Sequence, residues 1–571
     1  MTSAFEIQRN SLYFRALRRW RLAVPVFLAL LCINCGETYR PIAQPIPGPS
    51  PTPAPTGHIM AVSANGTLSS NPFLNAGSMG RIDVAGDSVV GVAATGLGPV
   101  HGALTNDTTK LYVVNSGEDT VSVSPTFSST QATIIDLVEL CPPATPCPVD
   151  PRFITTTESN RMYVSGFGNG TVSVIDTNSN FVIRTLAVDP AFAGQPLPQP
   201  DPNSHPIALA ELPNGTKIYS LNQGTNSVSA INTLDGTIAR VISLGGAPVG
   251  VAANTDNSQI YVLDGSGAIS VIDTFSDTII SQVSSAVAAG PTPNQLFYDK
   301  TFNRIYVTDA NAASPGVALF DISGNAGTLV LHGTGRATIM AAPGSTCTSN
   351  PIPSSITVIG DGSRAYVASY QTGNSQICTQ ADVIDTGTGR LTNTIPLSQA
   401  LDNSPVTNCD KARFRTFATS SLGGASSLFK VYVSQCDAGT VAVIDTFGVS
   451  DGPSPHPADW LEAWVPSAVS SFPPSQITIT DASQTAGSST TSGTTTFSYS
   501  ILSGPAVQVG MTVYVTGMTD AGNNGAFLVT SANPTGPTFT VNNALGASAS
   551  SQGGSGSVLP PQNPVFLIAS P

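Results

Sequence analysis

Short apolar runs of roughly four to six residues, split by Gly, Asn, Asp, Ser and Thr, fill this chain from residue 57 to about residue 446. The runs alternate or are β-branched and end at turn residues, which predicts strands rather than amphipathic helices. One pair of runs recurs. A Tyr followed by an apolar or small residue stands at Tyr112-Val113, Tyr163-Val164, Tyr219-Ser220, Tyr261-Val262, Tyr306-Val307, Tyr366-Val367 and Tyr432-Val433. Each is answered shortly afterwards by a second run: Val121-Ser122-Val123, Val172 to Asp176, Val228 to Asn232, Ile269 to Asp273, Val317 to Asp321, Ala381 to Asp385 and Val441 to Asp445. Self-similarity at ~40–65 residues is the mark of a repeat array.

The unit from Pro248 to Ser285 shows what is repeated. Val249 to Ala253 is a small-residue strand, followed by Gln259 to Leu263, Ala268 to Asp273 and Thr278 to Val283, all joined by tight turns. Four antiparallel strands bury too little alone, but packed face to face around an axis each sheet covers its neighbour. The chain is therefore expected to be all-β, a β-propeller of four-stranded blades. The strands His58 to Val62, Gly80 to Val84 and Ser88 to Val92 read as the later strands of one more blade, and Pro564 to Ser570 as its missing first strand. That count gives eight blades, closed by joining both chain ends. Seven is the alternative, if the N-terminal strands instead complete the last Tyr unit.

The Tyr-Val element with Val-Ser-Val-Ile-Asp-Thr resembles the YVTN family of β-propeller repeat proteins of bacterial and archaeal cell surfaces, over about Gly57 to Thr446. The resemblance implies the fold and the repeat type. Related propellers that hydrolyse sugar lactones share the same repeat grammar. Departures are Ser124-Pro125 in place of Ile-Asp in the first Tyr unit and Asn232 in place of Asp in the third.

Composition shifts divide the rest. Residues 1–35 read as a signal peptide and 36–56 as a Pro-rich linker. The propeller spans 57–450, a second linker 451–475, a small inserted all-β module 476–558, and the closing strand 559–571. Five arginines between Arg9 and Arg21 precede an apolar run, Leu22 to Ile33, of the size of a signal-peptide core. Cys35-Gly36 closes that run, and Cys35 is a candidate for lipidation in the manner of a bacterial lipoprotein. Pro41 to Pro55 then form an extended polyproline stalk. Lipid would be the one link to a membrane, and the protein is expected in the periplasm or on the cell surface.

Lys and Arg total 22 against 35 Asp and Glu, a formal net charge of −13, which disfavours nucleic acid. Six cysteines lie beyond the signal: Cys141, Cys147, Cys347, Cys378, Cys409 and Cys436. An even number suits disulfides in an oxidising compartment, with Cys141–Cys147, Cys347–Cys378 and Cys409–Cys436 as the expected pairs. No metal site and no cofactor is expected. Among the five histidines, His101 and His205 precede or open first strands and are candidates to face the channel. The repeated Asp176, Asp273, Asp321, Asp385 and Asp445 are read as turn formers, because identical placement in each repeat argues for structure.

No catalytic residue is named by any linear motif. The expected function is a non-catalytic exported propeller that binds or scaffolds a protein, a glycan or another cell-envelope ligand. A propeller hydrolase, lactonase or lyase with residues gathered at the channel mouth is the alternative. The insertions at Pro190 to Pro202 and Ala341 to Pro353 are expected on one rim, where they would vary that function.

Overall fold

The computed structural model describes residues 57–571 apart from 66–75, 127–132, 138–148, 158–159, 190–200, 285–290, 312, 324–326, 374–375, 399–408, 410–411, 423–428, 449–455, 467–474, 486–492, 504–505, 508–511, 534–536, 544–545, 549–553, 560–561 and 571. Cys35, the N-terminal signal and stalk, Cys141 and Cys147 lie outside the described residues. Eight four-stranded antiparallel sheets and one closed six-stranded barrel account for the strands. The sheets are the blades, numbered here in chain order. Blade 1 joins His58–Asn65, Ala76–Asp83 and Ser88–Leu97 to the C-terminal Gln562–Ser570, which is its inner strand. Both chain ends thus share one blade, and the eight-blade count holds.

Blades 2 to 8 each run from an inner strand outward. Their inner strands are Pro99–Leu104, Pro151–Thr157, Pro206–Glu211, Pro248–Ala253, Pro293–Asp299, Ile352–Val358 and Ala418–Ser420. The second strand of each carries the Tyr. Tyr112, Tyr163, Tyr219, Tyr261, Tyr306, Tyr366 and Tyr432 are all buried to 1% exposure or less, each packed between neighbouring sheets. Met60 takes the equivalent place in blade 1, pairing with Arg81 as the tyrosines pair with their third strands.

Burying a tyrosine requires a partner for its hydroxyl. At four blade interfaces the partner is the residue at the turn between third and outer strands of the next blade. Tyr112 donates to Asn180 (2.6 Å), Tyr219 to Asp277 (2.7 Å), Tyr432 to Asp87 (2.9 Å), and Tyr366 to Asp459. All four acceptors sit at positive φ, between 43° and 60°, a region that Asn and Asp tolerate better than other side-chain-bearing residues. A cation two residues before each Tyr reaches the same acceptor: Lys110, Lys217, Arg364 and Lys430. Where the turn residue is instead Gly236 or Gly389, Arg161 and Arg304 bond the Thr233 and Thr386 carbonyls. In blade 1, which lacks the Lys–Tyr pair, Arg81 from the third strand reaches the equivalent Thr126 carbonyl (2.7 Å). Asp176, Asp273 and Asp385 accept backbone N–H bonds within their own turns, as capping carboxylates do.

One boundary differs from the sequence reading. The stretch taken as a linker, 451–475, supplies the outer strand of blade 8, Trp460–Pro466, so the propeller extends past residue 450. Flanking prolines hide the alternation, in which Leu461 and Val465 pack inward while Trp460 and Trp464 stay exposed. The barrel follows, closed in the order Ser475–Thr485, Thr494–Ser503, Thr538–Asn542, Gly525–Asn533, Thr512–Thr516 and Gly554–Leu559. Its own core holds Ile477, Phe497, Val513, Phe527 and Phe539. Its first and last strands pair directly, Ser475 opposite Val558, so the barrel's entry and exit strands lie side by side.

Candidate functional site: the channel end of the inner strands

A proline opens the inner strand in seven blades: Pro564, Pro99, Pro151, Pro206, Pro248, Pro293 and Pro353. In each the pairing with the second strand skips the next residue, a bulge, and resumes one position later. Proline lacks the N–H that an inner edge would leave unpaired, which suits this position. By the same alignment, Arg415 holds the proline position in blade 8.

The residue two past the proline is the variable one. In ring order from blade 8 it is Phe417, Phe566, His101, Phe153, Ala208, Gly250, Gln295 and Ser355. The first four form a continuous aromatic arc. Phe417 meets Phe566 at 4.6 Å between centroids, Phe566 meets His101 at 4.2 Å, and His101 stacks on Phe153 at 4.0 Å. The other four are small or polar. Three polar members reach the next blade's inner strand: the Ile154 N–H approaches His101 Nδ1 (3.5 Å), the Ile356 N–H donates to Gln295 Oε1 (2.8 Å), and the Ala418 N–H to Ser355 Oγ (2.8 Å).

Across this layer lies Arg413. It belongs to the segment entering blade 8, yet its Nη1 donates to the Ile207 carbonyl (3.3 Å) and its Nη2 to the Val249 carbonyl (3.0 Å). Those are the bulge residues of blades 4 and 5, on the far side of an eight-membered ring from blade 8. The side chain therefore spans the channel. Its guanidinium lies over Phe153 (5.7 Å) and Phe414 (5.3 Å). Arg413 is exposed to solvent, and desolvation by neighbouring protein lowers its pKa to about 10.

Three bonds hold the segment that carries it. Cys409 is joined to Cys436 in a disulfide. Arg415 grips Asp437 through two bonds of 2.7 Å, with both side chains nearly buried. The Phe417 N–H donates to Ser434 Oγ (2.9 Å). Asn563 of the closing strand donates to the Cys436 carbonyl (2.7 Å), so the same corner also anchors the C-terminus.

The structure treats the two candidate histidines differently. His101 is buried in the arc; burial, and after it the charge of Arg413, lower its pKa to about 3, leaving a neutral ring. His205 precedes the inner strand of blade 4 with φ of 47°, contacts the Phe167 carbonyl through Nδ1 (3.0 Å) and stacks on Phe167. The partners of the two share no residue. Among the described residues no three His, Cys, Asp or Glu side chains are grouped to hold a metal ion. The second disulfide, Cys347–Cys378, ties the segment before blade 7 to that blade's third strand. Part of that segment is also held by Gln380, which accepts from the Ala342 N–H (2.9 Å) and donates to the Met340 carbonyl (2.8 Å).

Arg413 and the arc were missed in the sequence. The arc was within reach, since counting two residues past each strand-opening Pro finds Phe566, His101, Phe153, Gln295 and Ser355. Arg413 was not, because its segment departs from the repeat.

No family model matches the chain, and no curated protein sequence matches it. Among solved structures it is similar to the periplasmic gluconolactonase of Pseudomonas aeruginosa, at 15% identity over 61% of this chain and 99% of that one, TM-score 0.42. A putative 6-phosphogluconolactonase of Bacteroides fragilis gives 14% identity, 61% and 97% coverage, and 0.42. A dihydro-heme d1 dehydrogenase gives 9%, 72% and 76%, and 0.47. Nothing of their chemistry carries over at such identities. The propeller assignment rests on this chain's own sheets: it is an eight-bladed β-propeller with a six-stranded barrel inserted before its closing strand.

Proposed function

We propose that this chain is an exported, non-catalytic binding or scaffold protein whose ring offers its channel end to a cell-envelope ligand. The observation that carries the reading is the variable position of the inner strands. Seven blades hold one backbone position in the same bulged geometry, and its side chains range from Gly250 to Phe566. Variation on a fixed scaffold is how repeat proteins build recognition surfaces. Two disulfides suit an oxidising compartment, and the apolar N-terminal run with Cys35 suits export followed by lipid anchoring.

The test is co-sedimentation of the full mature chain with purified insoluble cell-wall glycan, with the supernatant analysed for released products. Saturable retention with no new soluble product is the expected result. Release of ring-opened sugar acids or cleaved glycan would replace this reading with the hydrolase alternative. Absence of retention would overturn envelope binding.

A further inference from the structure

Three arginines stand at the channel end, and they are not equivalent. Arg152, the bulge residue of blade 3, is paired with Asp150 at 2.7 Å. Arg415 is paired with Asp437. Arg413 alone has, among the described residues, no carboxylate within ion-pairing distance; the two carbonyls are its acceptors. A guanidinium presents five N–H donors in a planar fork, and the two carbonyls take up two of them. The guanidinium is exposed to solvent, so an entering anion reaches it without displacing protein. It is also held in place by a disulfide and a bidentate ion pair, so little side-chain freedom remains to be lost on binding.

We propose that Arg413 is the anchor of a binding site for a carboxylate-bearing small molecule, whose flat apolar portion lies against the aromatic arc of Phe417, Phe566, His101 and Phe153. The inference rests on the binding reading above and names its ligand class. The charge count selects the anion. One unpaired cation balances one carboxylate, whereas a phosphate dianion would leave a negative charge in a partly dehydrated channel of an acidic protein. The arc selects the body, because its partly exposed members, Phe153 and Phe417, offer apolar ring surface and Phe153 lies directly beside the guanidinium. His101 does not compete for the anion as a second cation. Its buried ring is neutral and is already approached by the Ile154 N–H.

The experiment titrates the full mature chain with phenylacetate, phenylacetamide and phenyl phosphate, by calorimetry at low and high salt. Phenylacetate should bind one to one, and the neutral amide and the phosphate at least tenfold more weakly. Arg413→Gln should lose at least tenfold in phenylacetate affinity, and Arg413→Lys should recover part of it. Phe153→Leu, which leaves the cation in place, should weaken phenylacetate several-fold more than it weakens acetate. Circular dichroism and melting of each variant establish that it is folded. Failure of phenylacetate to bind, or equal binding by wild type and Arg413→Gln, overturns the site. Tighter binding of phenyl phosphate overturns the carboxylate assignment. Cell-wall retention that persists while phenylacetate fails to bind would sink this site and leave the envelope-binding reading standing; loss of both sinks both.

Discussion

The two ends of each blade are built on opposite rules. At the turn between third and outer strands the chemistry recurs: at four interfaces a cation and a tyrosine from one blade meet an Asn or Asp at positive φ in the next, and at two more an arginine takes the Thr carbonyl of a turn that ends in Gly. At the start of the inner strand the backbone repeats while the side chain changes, from Phe to His to Gly to Gln. Repetition of chemistry marks what holds the ring together, since every interface faces the same packing problem. Repetition of geometry with changing chemistry marks where one blade is free to differ from the next. The inner end also carries the two departures that no repeat explains, Arg413 and the Cys409–Cys436 corner.

Breaking the variable end should have the largest effect on stability. The Cys409–Cys436 bridge closes a separation of 27 residues, for which the chain-entropy relation gives about 3.5 kcal/mol. The double variant Cys409→Ser/Cys436→Ser should lose about that much in denaturant unfolding. Unchanged stability would mean that Arg415–Asp437 and Asn563 hold the corner without it.

At the regular end the sharpest test is ring closure. Asp87 receives both Lys430 and Tyr432 across the junction of the first and last blades, with Lys430 and Asp87 only 10% and 12% exposed. Asp87→Ala removes the acceptor of both and should cost about 3 kcal/mol, the usual scale for breaking a buried pair. Glu462, 2.8 Å from Lys430, limits the loss. A cost below about 1 kcal/mol would show that packing of the closing strand dominates.

A third test concerns a break in the regular pattern. Where third strands elsewhere place Ser122, Ser173, Ser229, Ser270, Ala318 or Ala442, blade 7 places Asp382, fully buried and bonded by Ser369 (2.7 Å), Gln380 (2.8 Å) and Thr394 (3.0 Å). Desolvation raises its pKa to about 7 despite these bonds. The folded state then holds a proton that the unfolded state has released, so this group's contribution to stability falls as pH rises from about 4 to about 7. Between pH 5 and 7 the loss should be about 2.5 kcal/mol at ~1.4 kcal/mol per unit. Asp382→Asn should flatten that slope in melts across this range. An identical slope in the variant would assign the pH dependence to other groups.

The legibility of the fold follows the same division. Strands, blades and the closing of both chain ends could be read because the Tyr and Val-Ile-Asp runs repeat and their alternation is undisturbed. The outer strand Trp460–Pro466 could not, since prolines around it imitate a linker. The latch was half visible: a basic residue stands two before Tyr in six of seven units, but its acceptor lies in the next blade, ~60–95 residues onward or, at closure, ~340 residues back. Arg413 shows the limit most plainly. Its partners, Ile207 and Val249, lie more than 160 residues away in sequence, and only closure of the ring brings them within reach.

Placing the C-terminal residues Gln562–Ser570 at the centre of the molecule has a consequence for how it is made. Every blade but the first can be assembled from consecutive chain, whereas the first waits for Gln562–Ser570, made after the other seven blades and the barrel. A product cut short anywhere in the barrel or beyond would keep His58–Asn65 as an open sheet edge facing an unfinished channel, the kind of edge that proteolysis and aggregation both exploit. Residues 562–570 thus complete a sheet begun about 500 residues earlier, and a copy lacking them would carry an unpaired edge in its first blade.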